Sequence, residues 1–254
     1  MEKKYDQLIE ISLDIGFGIL QAGGRVSRVE DTIYRILSAY GLQKIGVFNI
    51  PSLIEVNAQT PDGKNLVQLR RIRINGAIHL TALEKFNALS RWICTECPEM
   101  DDIDTRLHAL QDEIQTPPAG QYKGNILVAI GFTLFFGGTP ADIPAVILLA
   151  CMIGFLDAKG LYKNQNRLLF YFLCSFFTGL LGWFLVRFGI GQNLDQILIG
   201  CIMITIPGIA ITYAALDMLL GDTITGLLSL AESLLVAASI AAGFLLSLKA
   251  GAFL

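Results

Sequence analysis

The sequence is short of charge and of histidine. Asp, Glu, Lys and Arg make up 16% of its 254 residues, against about 25% in an ordinary soluble domain. The net charge is −3 and no basic stripe is present, so nothing points to nucleic acid as a partner. Arg70, Arg71 and Arg73 read as a solvated or docking face of one strand. His79 and His108 are the only histidines, and a zinc site on the Cys94-x-x-Cys97 pair would need two further ligands. Five cysteines are an odd number, which argues against a disulfide framework. Cys94 and Cys97 read as two thiols near a helix end, and Cys151, Cys174 and Cys201 as small packing residues in apolar segments. Residues 1–115 contain no nucleophile–base pair, phosphate-binding loop or metal cluster, and no cofactor is expected. The opening MEKKYDQLIE is no signal peptide, because Asp6, Glu10 and Asp14 interrupt its apolar positions. The polar part of the chain is therefore expected in the cytosol.

What charge there is lies mostly in residues 1–115; from Gly124 onward apolar runs dominate, and the mean hydropathy is +0.56. The fold class expected is an α-helical membrane protein with five transmembrane helices, preceded by a cytosolic α+β domain. Residues 1–118 form the domain and 119–254 the membrane part, joined at TPPAG (116–120), whose prolines cannot continue a helix.

In the first part, residues 5–22 have helical spacing, with Leu8, Ile11, Leu13, Ile15 and Ile19 on an apolar side. Asp6, Glu10 and Asp14 recur on another, tolerable opposite basic residues such as those at 70–73. Gly23-Gly24 ends that helix. Ser27-Arg28-Val29-Glu30 matches a capping box for a helix over 28–40, with Glu30 reaching back to Ser27. Residues 45–59 and 66–74 alternate around the turn TPDGKN and predict a hairpin, with Pro51 at an edge or bulge. Helices are predicted over 81–97 and 101–115.

Five spans are predicted, at about 124–138, 140–157, 168–188, 196–220 and 223–248. GGTPAD joins the first two as a tight hairpin, with Asp142 expected at the surface like Asp157. Lys159, Lys163 and Arg167 mark the second connection as cytosolic, which puts the N-terminus inside and the C-terminus outside.

The fourth span, TIPGIAITYAALDMLLGD (205–222), carries Pro207-Gly208 near its middle. Proline removes a backbone hydrogen bond, and unpaired backbone at membrane depth is tolerated only against protein or water. Pro207, Gly208, Thr205 and Thr212 are the candidate substrate-binding residues, with a plain kink as the equal alternative. Asp217 and Asp222 read equally as solvated groups or as members of a site, Asp222 also being placed to cap the fifth helix. Glu232 lies about 15 Å into the last helix, where a charge costs at least ~2.5–3.5 kcal/mol. It should face the bundle interior, pair with a polar group or bind a proton, and with Asp217 and Asp222 it is the candidate for proton coupling or gating.

The order Pro207-Gly208-Ile209, Asp217, Gly221-Asp222, Gly226, Glu232 resembles the last part of the threonine/serine exporter family. FFGGTPAD (135–142) is similar to the hairpin opening that family's membrane domain, and LQAGGRVSRVEDTIYRILSAYGL (20–42) to the start of its cytosolic domain. Where members carry an Asn–x–x–Arg-like pattern, this chain has IAITYAAL, with Thr212 and Tyr213 as its polar groups. Single-chain members have about ten spans, so the resemblance is to the large subunit of the two-component form. It implies an exporter of threonine, serine or a succinate-like dicarboxylate in a bacterial inner membrane. It also implies a small membrane subunit as partner, and a homo-oligomer of that complex is compatible with it. The reading from a different class is a membrane-anchored sensor or enzyme acting through its cytosolic domain.

Overall fold

The computed structural model describes residues 2–72, 79–114, 120–158 and 166–253. Arg73, linker residues 116–119, Lys159 and Lys163 lie outside the described residues. The chain divides into two compact units: Met1–Thr116 with Tyr213–Ser229, and Pro117–Thr212 with Leu230–Leu254.

The first unit begins with α1 (Glu2–Gln21) and α2 (Val26–Ala39), followed by β1 (Gln43–Ile50), β2 (Leu53–Gln59) and β3 (Asn65–Arg71), then α3 (Leu80–Glu96) and α4 (Met100–Ile114). Helix α1 is its core, packing against α2, α3, α4, β2 and β3. Leu8, Ile9, Ile15 and Ile19 are fully buried. The acidic edge of α1 runs along β3, where Arg70 donates to Asp14 and the Gln68 side chain to the Asp6 carbonyl at 3.1 Å. This is the basic counterpart expected at 70–73. The helix stops at Gly23 (φ +80), with the Gly24 amide returning to the Ile19 carbonyl at 2.8 Å.

The sheet is an antiparallel meander, β1-β2-β3, so the long strand expected over 45–59 is two. Ile50 pairs with Leu53, and Pro51-Ser52 form the turn between them. Proline's fixed φ and missing N–H suit a turn better than a ladder. The irregularity sits instead between Gln43 and Gly46, with Lys44 at φ +47. The capping box does not form either. The helix starts two residues earlier, with Arg25 as N-cap making no side-chain cap bond, and Glu30 accepts from the Asn49 amide of β1 at 3.2 Å.

The apolar helices are α5 (Gly120–Phe135), α6 (Ile143–Ala158), α7 (Arg167–Arg187), α8 (Leu194–Thr205), α9 (Gly208–Leu219) and α10 (Thr223–Phe253). Three stretches, Pro140–Asp157, Arg167–Arg187 and Thr223–Ala252, are long and apolar enough to cross a membrane. Helices α8 and α9 qualify as a pair, bent by 51° between Thr205 and Gly208, and α5 is shorter. Of the five expected spans, three are helices long enough to cross, a fourth is the bent pair if that pair is one span, and α5 falls short of the length. Helix α10 is longer than expected: its 31 residues reach about 46 Å, well over the ~30 Å of hydrocarbon. Its residues up to Ser229 belong to the first unit.

In the second unit, small residues set the spacing. Ala129, Ala145, Ala150, Cys174 and Cys201 lie in one core with Val146, Leu149, Ile153 and Ile197. Gly200 of α8 faces α5 so closely that a Cβ there would lie 2.6 Å from the Ala129 carbonyl oxygen, besides overlapping the Thr133 hydroxyl. Gly200→Ala is expected to force α5 and α8 apart and destabilise by ~1–3 kcal/mol, the range for overpacking. Thermal unfolding of detergent-solubilised protein measures it, and an unchanged midpoint would contradict the close crossing.

Candidate functional site

Around the bend, Pro207 cannot donate to the Met203 carbonyl, its partner in an unbroken helix. The Gly208 amide bonds the Ile206 carbonyl at 2.9 Å instead of that of Ile204. The first amides of α9 then have no partner within the helix, as at any helix N-terminus. The hydroxyls of Thr205 and Thr212 are turned back on their own helices, to the Ile202 carbonyl at 2.9 Å and the Gly208 carbonyl at 3.0 Å. The break is open: Ile206 and Ile209 are 41% and 50% exposed, and a Cβ on Gly208 would meet nothing within 4 Å.

Glu232 is paired but not enclosed. It accepts from Arg167 at 2.8 Å and its side chain is half exposed. Arg167 opens α7, directly after its N-cap Asn166, and its guanidinium also lies 5.8 Å from the centre of the Tyr171 ring. Glu232 is therefore level with the start of α7. The depth of about 15 Å expected for it assumed that α10 begins where the membrane does. The first residues of α10 pack in the first unit instead.

Asp217 is buried, with a side chain 5% exposed, and accepts from Arg25 at 3.0 Å. Asp222 immediately precedes α10, and its carbonyl accepts the Gly226 amide at 2.9 Å. The turn between α9 and α10 is tight. Gly221 has φ +102, the Asp222 amide bonds the Asp217 carbonyl at 2.9 Å, and a Cβ on Gly226 would lie 2.6 Å from the Ala214 carbonyl oxygen. This turn is held within the first unit at two further points. The Thr225 hydroxyl donates to the Asn49 carbonyl at 3.4 Å. Glu30, bonded to the Asn49 amide, lies near both Asp222 and Asp217. Burial, then Asp222, hold the Glu30 carboxyl above its ordinary value; the Asn49 N–H pulls it down and Asp217 pushes it up. Arg25, Glu30, Asn49, Asp217 and Asp222 thus form one polar cluster. Arg25, Asn49 and Thr225 were not singled out from sequence, because no local pattern links positions this far apart.

Asp142 is fully buried, not at the surface. It accepts from Thr139, Gln192 and Asn193, joining the turn before α6 to the one before α8. At the far end of α3, Cys97 (φ +45) donates weakly to the Ala39 carbonyl, and burial pushes the Cys94 thiol up. Among the described residues no group of three His, Cys, Asp or Glu could hold a metal ion.

Several apolar helices, one of them broken in mid-course, define a multi-pass membrane protein with a folded α+β unit attached. Residues 10–250 match the family described as "Putative threonine/serine exporter", and the chain belongs to that family. No curated protein and no solved structure matches it. The family is one of transporters, which accords with the chain not being an enzyme.

Proposed function

We propose that the chain is the large subunit of a secondary exporter that moves a small carboxylate-bearing metabolite out of the cytosol. The substrate is threonine, serine or a succinate-like dicarboxylate. The observation that carries this reading is the open break between α8 and α9. The amides at the start of α9 have no helical partner, and the helix dipole adds partial positive charge, so a carboxylate fits there. Thr205 and Thr212 flank the break and can exchange their backbone bonds for the substrate. Glu232 with Arg167, and Asp217 with Arg25, are Arg–carboxylate pairs; with Asp222 they gate the path or carry the coupling proton. Unpaired backbone cannot face lipid. The exposure of Ile206 and Ile209 therefore supports a second, small membrane subunit covering the break. In this reading the α+β unit lies in the cytosol of a bacterial cell and the membrane is the inner one.

The test is efflux from proteoliposomes loaded with labelled threonine, serine or succinate, with and without the small subunit. Saturable efflux of one of them is expected, and none for all three would sink the proposal. Pro207→Ala should restore the missing donor, straighten the pair and lower flux about tenfold or more, equivalent to ~1.4 kcal/mol in the barrier. Unchanged flux would make the break a plain kink.

A further inference from the structure

The sheet of the first unit has one face against helices and one face open. Residues directly opposed across strands share a face. Ile54, Val56, Ala58 and Leu66 are buried and mark the inner side, in one core with α1 and α2. The outer side is built of three rows: Ile50, Leu53 and Arg71; Phe48, Glu55 and Leu69; Gly46, Asn57 and Val67. An antiparallel sheet with one solvated face is ordinarily polar on that face. Here Val67, Leu69 and Phe48 stand 64%, 60% and 51% exposed, with Ile50 and Leu53 half-buried beside them. Leu66-Val67 in β3 and Val47-Phe48 in β1 are apolar on both sides, the pattern of strands that are covered twice. The rows hold two charges, Glu55 and Arg71, on a diagonal between β2 and β3. Arg70 turns inward to Asp14. Neither Glu55 nor Arg71 has an ion-pair partner among the described residues.

We propose that this chain forms a two-fold dimer through the outer face of its sheet. Phe48, Leu53, Val67 and Leu69 make the apolar contact, and two reciprocal Glu55–Arg71 pairs set its register. The charges decide the occupant. Surfaces that lie on lipid carry an excess of Lys and Arg, whereas here Glu55 stands in the central row and a single cation accompanies it. A second copy of the same face does match. An isologous contact sets one patch against itself. With the two-fold axis in the contact plane, perpendicular to the Glu55–Arg71 line at its midpoint, each Glu55 lies over the partner's Arg71. The two charges are equal and opposite, so the doubled face holds no charge without a counterpart. Stacked sheets lie about 10 Å apart, which lets the side chains of both faces interlock. The face belongs to the first unit, and the dimer requires nothing of the transport reading above.

Sedimentation of the full chain in density-matched detergent, over a dilution series, reads the dimer without needing transport. A concentration-dependent dimer is expected for the wild type. Leu69→Asp puts a carboxylate into the apolar contact twice and should raise the dissociation constant about a hundredfold or more. Glu55→Arg and Arg71→Glu each set like charges against one another at both pairs, and each should raise it about tenfold. The double variant Glu55→Arg/Arg71→Glu exchanges the charges and should return to within about threefold of the wild type. Such rescue cannot come from two variants that merely fold poorly. A wild type that stays monomeric, a dimer indifferent to Leu69→Asp, or a charge exchange without rescue would overturn the proposal. So would a Leu69→Asp variant whose copies stay joined but which loses a co-purified small subunit, since the face would then be that subunit's.

Discussion

Arg25→Ala is expected to free the α9–α10 turn from the N-terminal unit. The substitution leaves Asp217, 5% exposed, as a buried carboxylate beside Glu30 and Asp222 with no guanidinium. Removing one member of a fully buried pair costs ~3–5 kcal/mol. The Arg25 side chain is 25% exposed, so water reaches the pair and about 2–3 kcal/mol is the better figure. The turn can escape the penalty by undocking, which carries Asp217 to water. The effect should therefore appear as local opening: a ~30- to 150-fold loss of exchange protection at residues 213–229, at ~1.4 kcal/mol per tenfold. Asp217→Asn should cost less, because Arg25 can turn its charge toward solvent. Arg25→Ala/Asp217→Asn should recover most of the loss, a coupling that a double-mutant cycle isolates. Equal effects of the two single substitutions that simply add would mean that the ion pair does not hold the turn.

That pair also marks where reading by sequence stops. Features with local causes were legible. The spacing of Leu8, Ile11, Ile15 and Ile19 predicts α1, Gly23-Gly24 its end, and TPDGKN the turn between β2 and β3. The apolar runs predict the helices from α5 onward, and Pro207-Gly208 their one sharp bend. The Arg70–Asp14 pair was within reach too, since a row of acids on a helix calls for a basic strand. Contacts made across long stretches of chain were not. Ser27-x-x-Glu30 has the right letters for a cap, but Glu30 is taken by Asn49, and only the folded sheet brings them together. Arg25 and Asp217 are 192 residues apart. Glu232 reads as deep when depth is counted from the start of its helix. The residues of α10 up to Ser229, however, belong to the first unit, and the Glu232 carboxylate is half exposed and paired with Arg167, a partner that no local pattern announces.

The second large effect is expected at Asp142, whose burial comes from the same kind of distant contact. One carboxylate oxygen accepts the amides of Gln192 and Asn193 at 2.6 and 3.0 Å. The other accepts the Thr139 amide and hydroxyl at 2.8 and 3.0 Å and the Asn193 side-chain amide at 2.9 Å. All five are donors, so the site fits an acceptor-only group and no other. Asp142→Ala leaves three backbone amides without a partner in a fully buried position. At ~1–3 kcal/mol for each lost partner, offset by water entering the gap, a net ~3–5 kcal/mol is expected. Asp142→Asn is nearly isosteric, yet it should recover little: its NH₂ must face donors on one side. A loss of ~2–4 kcal/mol is expected there, again from unmet donors. Since Asp142 joins the α5–α6 and α7–α8 turns, either change should loosen both together. Thermal unfolding in detergent should fall by roughly 2–4 °C per kcal/mol, with Ala and Asn close to each other. If Asn matched the wild type while Ala did not, shape would matter at this position and charge would not.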